Sequence, residues 1–173
     1  MRRRNEKGFT LIEMVVSMTL LAILAATAVP FMRNGVQAYN DTASGLQTIG
    51  KLRYASERMA RELREIQRDG LGNFDIATPV NVSGNNITFR KSDGVEVIIS
   101  DAAPVVNMRY DTLGTTDFIL TDEVTSIVFS YYLNDGINQA NNTSDVAYID
   151  FELILNNGSS YSQRTRVALR NQP

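Results

Sequence analysis

Apolar positions run almost unbroken from Phe9 to Met32, then thin to one in every three or four, and beyond Gly72 fall on alternate residues. The three spacings predict three structural regimes. A helix over the first run would extend roughly 36 Å, enough to cross a hydrocarbon core of about 30 Å. Its one charged residue is Glu13. From residue 33 to 70 the helical period continues on one stripe: Tyr39, Ala43, Leu46, Ile49, Leu52, Ser56, Met59, Leu63 and Ile66. The opposite side carries Glu57–Arg61, Arg58–Glu62 and Arg61–Glu65 at spacings of four, which reads as a solvated, ion-paired face. Asp69-Gly70-Leu71-Gly72 is the expected helix end. Gly45 and Gly50 read as tolerated glycines on a helix held by packing.

Period two then takes over. The runs 86–91 and 95–100 flank Ser92-Asp93-Gly94, a hairpin signal. Shorter strands are expected over 105–110 and 117–120. Ile127, Phe129, Tyr131 and Leu133 alternate with smaller or polar residues, as do Ile149, Phe151, Leu153 and Leu155. Asn156-Asn157-Gly158-Ser159 leads into a last strand with Tyr161, Gln163, Thr165, Val167 and Leu169 on one face and Arg164, Arg166 and Arg170 on the other. Antiparallel strands with one apolar face need a covering layer, and the helix stripe is available to supply it. The expected fold is therefore α+β: a long N-terminal helix, half membrane-compatible and half amphipathic, packed on an antiparallel sheet.

Composition removes most catalytic classes. There is neither cysteine nor histidine, so zinc sites built from thiolates and imidazoles, a Ser-His-Asp triad and a cysteine–histidine pair are all excluded. Of the net charge of −2, the first eight residues contribute +3, leaving −5 on the remainder, which does not fit nucleic acid as a partner. Two acidic pairs, Asp122/Glu123 and Asp150/Glu152, test poorly as catalytic carboxylates and read as solvated strand edges. The loop 134–145 is rich in oxygen ligands, but Gly136 directly follows Asp135, unlike an EF-hand. It reads as an Asn/Asp turn with no metal, and the Asn-x-Ser/Thr matches at Asn81, Asn86, Asn141, Asn142 and Asn157 read the same way. No cofactor and no enzymatic activity are expected.

The N-terminal run has three readings on its residues alone. Ala26-Thr27-Ala28 behind an apolar core fits a secretory signal, yet Glu13 is unfavourable within one. A plain anchor leaves Glu13 as a cost of a few kcal/mol in lipid. Cleavage after Gly8 would instead make Phe9 a free amine four residues from Glu13, and a carboxylate in an apolar setting calls for such a cation. The basic residues ahead of the run place Met1–Gly8 in the cytoplasm and the rest outside.

Gly8-Phe9-Thr10-Leu11-Ile12-Glu13, behind a short basic leader and ahead of a long apolar helix, resembles the prepilin motif of type IV pilins and type II secretion pseudopilins. The resemblance implies cleavage between Gly8 and Phe9 by a prepilin peptidase and N-methylation of Phe9. It implies that Glu13 pairs with the N-terminus of an adjacent subunit. Pro30 stands where the family helix carries a proline that kinks it, although it also reads simply as the end of the membrane segment. The implied partners are other pilin or pseudopilin subunits, the peptidase, an inner-membrane assembly platform and inner-membrane lipid. The implied location is a single-pass inner-membrane protein that passes into a filament. Arg58–Ile66 and Val167–Asn171 are similar to minor pilins, including the mannose-sensitive haemagglutinin type, and to J-type minor pseudopilins. The expected organisation is a leader at 1–8, a membrane or filament-core segment at 9–32, an amphipathic continuation at 33–70 and a strand-rich periplasmic head at 71–173.

Overall fold

The computed structural model describes residues 8–114 and 116–169. Among these residues the fold is α+β: one long helix, α1 (Leu11–Leu63), and seven strands in two antiparallel sheets. The chain divides into two compact units, 1–43 and 44–173, taken separately below.

The first unit is the N-terminal part of α1. Its apolar residues point outward all round: Leu11, Ile12, Val16, Leu20, Ile23 and Leu24 are each exposed by half or more. None of its most apolar eighteen-residue stretch is buried. A helix apolar on every side needs an apolar surround from outside its own chain.

In the second unit, β1 (Asn86–Arg90), β2 (Glu96–Ala102), β3 (Val105–Tyr110) and β4 (Phe118–Thr121) form one sheet in chain order, with a 3-10 turn, Asp111–Leu113, before β4. The Ser92-Asp93-Gly94 turn closes β1 on β2 as expected. Asp93 accepts the Val95 N–H at 3.0 Å, and Gly94 takes a φ of 86° that suits a residue without Cβ. β5 (Val124–Tyr132), β6 (Tyr148–Asn156) and β7 (Ser160–Ala168) form the second sheet, and the 156–159 turn joins its last two strands with Asn156 opposite Ser160.

The core lies where the C-terminal part of α1 meets both sheets. Leu52, Ala55, Met59, Ala60 and Leu63 are buried together with Ile87, Phe89, Val97, Ile99, Ile127, Phe129, Phe151, Leu153 and Leu155. Phe129 and Phe151 face each other across β5 and β6 at 6.1 Å between ring centroids.

Four expectations about α1 are corrected. The buried face runs through Gly45, Thr48, Leu52, Ala55, Ser56, Met59 and Leu63, whereas Leu46 and Ile49 are 65% and 45% exposed. The reason is steric and polar. A Cβ on Gly45 would stand 2.5 Å from the Tyr161 hydroxyl, and Thr48 donates to Glu123 Oε2 at 2.8 Å. Gly45 is thus a close-approach glycine rather than a merely tolerated one. The helix also closes at Leu63, before the glycine signal, because the chain turns extended to bridge Ile66 with Lys91 and Arg68 with Phe74. Finally, Glu62 is not on a solvated face. It is 3% exposed, with Arg58 at 2.7 Å, Lys91 at 3.2 Å and the Tyr110 hydroxyl donating at 3.0 Å. Lys91, which also holds Glu65 at 2.7 Å, is kept protonated well above its ordinary range: burial opposes this, but the hydrogen bonds it donates to Glu65 and Glu62 outweigh it.

The Gly45–Tyr161 contact predicts a coupled pair. Gly45→Ala gains about 1 kcal/mol of helix propensity but forces Tyr161 aside at a cost of about 1–3 kcal/mol. In a Tyr161→Phe background the same substitution should be more favourable by about 1 kcal/mol or more. Denaturant unfolding of the four chains, followed by circular dichroism, measures this coupling.

Candidate processing and assembly site

Gly8, Phe9 and Thr10 lie outside the helix in exposed backbone, and α1 starts at Leu11. Nothing lies within 4 Å of a Cβ built on Gly8. The Gly8–Phe9 peptide bond is therefore open to a protease that needs non-helical chain. Met1–Lys7 lie outside the described residues.

Thr10 caps the helix. Its hydroxyl accepts the Glu13 N–H at 3.3 Å, and its carbonyl accepts the Met14 N–H at 3.2 Å. Thr10-x-x-Glu13 is half of a capping box, a [ST]-x-x-[DE] signal present in the sequence and overlooked in reading Glu13 only as a charge. Glu13 sits in the first turn, where the helix dipole favours a carboxylate. Its backbone carbonyl accepts the Ser17 hydroxyl at 2.7 Å, and the residue is exposed. A positive amine created at Phe9 would stand at the positive end of the same dipole. A carboxylate nearby would offset that repulsion, and the site is open enough for the carboxylate of either the same or a neighbouring chain. Ringing it are Phe9, Leu11, Ile12 and Met14, at 76%, 84%, 73% and 56% exposure.

α1 continues through Pro30 rather than ending there. Proline lacks the N–H that would reach the Ala26 carbonyl four residues back. Close by, the Thr27 hydroxyl donates to the Ile23 and Leu24 carbonyls at 3.3 and 3.0 Å.

The acidic pairs of the head are structural, and one of them corrects the expectation of a solvated edge. Asp150 is 3% exposed. Arg166 holds it with two hydrogen bonds, at 2.6 and 2.9 Å, and Arg164 with two more, at 3.1 and 2.8 Å. Arg166 also donates to the Gly136 carbonyl at 3.1 Å, tying the 134–145 loop to the sheet. Burial pushes the Asp150 carboxyl up, but the hydrogen bonds from Arg166 and Arg164 prevail and hold it below the usual carboxylate range. Its neighbour Glu152 is exposed. Asp122 and Glu123 both meet Lys51, at 2.7 and 2.9 Å. Glu123 has a φ of 63°, which aims its side chain at Thr48 and Lys51 of the helix. In the loop, Asp135 caps its own turn by accepting the Ile137 and Asn138 N–H groups at 2.9 and 3.0 Å. Among the described residues no three acidic groups gather as a metal cluster would require.

Residues 3–29 match the family model described as the Prokaryotic N-terminal methylation motif. No curated protein matches the chain. The matched stretch includes Gly8, Phe9 and Glu13 and stops just before Pro30. It supports a prepilin of the type IV pilin and pseudopilin kind, processed and assembled with other subunits, and the apolar helix fits anchoring in the inner membrane.

The Asp150 arrangement carries a pH signature. A carboxyl lowered in the folded state stabilises the fold fully above its unfolded value of about 4, and that contribution fades as pH falls through the lower folded value. Asp150→Asn should cost about 1–3 kcal/mol at neutral pH, toward the low end because both arginines are partly solvated. The deficit should shrink as the pH approaches about 3. Urea unfolding of wild type and variant across this range measures it.

Proposed function

We propose that this chain is a structural minor subunit of a type IV pilus, stored in the inner membrane as a prepilin and cut between Gly8 and Phe9. Phe9 is N-methylated, and the apolar helix then passes from lipid into the filament core, where Glu13 meets the N-terminal amine of an adjacent subunit. The leader faces the cytoplasm and the head the periplasm. Residues 9–32 form the membrane and core segment, and Pro30 bends the helix where that segment gives way to the amphipathic part. The subunit helps to start or cap the filament rather than forming its bulk. An enzymatic role is not part of this reading.

One observation carries it: Glu13 is the sole charge in an apolar run, five positions from a glycine step and placed on an uncovered helix end. The minor role is supported by the likeness of Arg58–Ile66 and Val167–Asn171 to minor pilins of the mannose-sensitive haemagglutinin type. It is supported too by the absence of the cysteines with which major pilins usually close their C-terminal region. Leu46, Ile49 and Tyr54, exposed on α1 beyond the core segment, add apolar surface for neighbouring helices. The same likeness extends to J-type minor pseudopilins and favours a secretion pseudopilus as the second reading. Recovery of the protein from sheared surface filaments supports the pilus, and its absence there with intact secretion-dependent assembly supports the pseudopilus.

The mass of the mature chain tests the processing step. It should begin at Phe9 and carry one extra methyl group; a chain beginning at Val29 overturns the assignment and makes Ala26-Thr27-Ala28 a secretory cleavage site. Glu13→Val should leave cleavage largely intact and reduce incorporation into filaments several-fold, as judged by immunoblotting of sheared material. Unchanged incorporation removes Glu13 from assembly.

A further inference from the structure

The second sheet ends at β7, which pairs with β6 and, among the described residues, with no other strand. The phase of that ladder shows which groups its free edge presents. The Asn156 N–H points to the Glu123 carbonyl on the β5 side at 2.8 Å. The odd-numbered residues of β6 therefore bond to β7, and their opposite numbers are the odd-numbered residues of β7. The bond from Leu169 N–H to the Ala147 carbonyl at 2.9 Å continues the same phase. Ser162, Arg164, Arg166 and Ala168 thus turn their N–H and C=O groups outward, and among the described residues no backbone group meets them.

Beside this edge runs a groove between β7 and α1. One stretch, about 320 Å³, is lined by Ser56, Ala60, Arg61, Arg64, Gln163 and Thr165, among others. It continues past the same two arginines into a wider cleft of about 1200 Å³ that reaches Arg166 and Ala168. The groove contains a polar atom in want of a partner: Ser56 is 1% exposed and its hydroxyl makes no hydrogen bond. It also contains cations in want of a partner. Glu65, one of the two expected mates of Arg61 beside Glu57, is bound instead to Lys91, and among the described residues neither Arg61 nor Arg64 has an ion pair. Glu57 is the remaining acid along the narrow stretch, and Asp69 in the wider one is held by the Leu71 and Asn73 N–H groups of its own turn. A free edge flanked by arginine side chains repels basic strands and favours acidic ones.

We propose that this groove is a strand-addition site, in which an extended, carboxylate-bearing segment of a neighbouring subunit of different sequence pairs with the β7 edge and sets its acidic side chains on Arg61 and Arg64. Main-chain hydrogen bonds to Ser162, Arg164 and Arg166 supply the affinity, and the two helix arginines select the sequence. A second copy of this chain fits less well. Its own acid-flanked edge strand is β4, but Asp122 is held by Lys51 at 2.7 Å and Asp117 lies 3.8 Å from Arg109. That the partner is a filament subunit rests on the function proposed above, whereas the chemistry of the groove does not.

The probe is a fluorescein-labelled peptide of about eight residues alternating Glu and Val, titrated with the full chain in detergent micelles and read by anisotropy. Binding should be saturable, weaken with salt, and fall about tenfold or more in an R61E/R64E chain. It should be lost with a peptide N-methylated on alternate residues, which cannot complete the ladder but leaves the protein unaltered. S162P, which removes a donor from the open edge without touching the β6 ladder, should act likewise. Equal binding of the methylated peptide reduces the contact to charge adhesion and overturns the proposal, as does equal binding of a Lys/Val peptide. Self-association of the chain that displaces the peptide assigns the edge to a second copy, which also overturns it. A mature terminus at Val29 would leave these titrations unchanged, so the two proposals fail separately.

Discussion

A helix that carries apolar side chains on every face cannot be satisfied by its own chain. From Leu11 to Leu24 the large side chains of α1 stand in the open, and the cost of leaving them in water, about 25 cal/mol per Å² of apolar surface, requires cover from lipid or from other helices. In such a surround Glu13 is the one charged side chain of the run from Phe9 to Met32, and lipid alone does not satisfy it. The capping role found for Thr10 explains why the helix starts where it does. It leaves the Glu13 carboxylate exposed and available to an amine.

The head solves a different problem. The C-terminal part of α1 buries a narrow stripe, and the two sheets close over it with a core dominated by β-branched and aromatic residues. At the margins of that core the contacts are polar and long-range. Glu123 and Asp122 clasp Lys51, Glu62 gathers Arg58, Lys91 and Tyr110, and Asp150 gathers two arginines of β7. Glu62 and Asp150 are the buried members of these clusters. Removing a buried partner such as Glu62 or Asp150 leaves the charges that face it uncompensated.

What was legible in the sequence was local. The turns at 92–94 and 156–159 name themselves through their own residues, and strand alternation identified the inward faces of β5 and β6. The N-terminal motif over residues 3–29 was equally plain because its residues are contiguous. What could not be read depends on contacts far apart in the chain. Leu46 and Ile49 look like core until Tyr161 is seen to need the space above Gly45, more than a hundred residues away. Arg58–Glu62 has the same spacing whether it lies in water or, as here, beneath Lys91 and Tyr110. Asp150 looked like a solvated edge because its two arginines belong to the next strand. The free edge of β7 was invisible for the same reason: strand order is not written in periodicity.

In the proposed filament the carboxylate of Glu13 is met by the amine of another chain. Zero-length carbodiimide cross-linking of assembled filaments, followed by peptide mass spectrometry, tests it at the two atoms concerned. Pairing between subunits should yield an amide between the Phe9 nitrogen and the Glu13 side chain of a different subunit, present in filaments and absent from detergent-dispersed chains. A Glu13 that stays unlinked in filaments, or links only within its own chain, would contradict it.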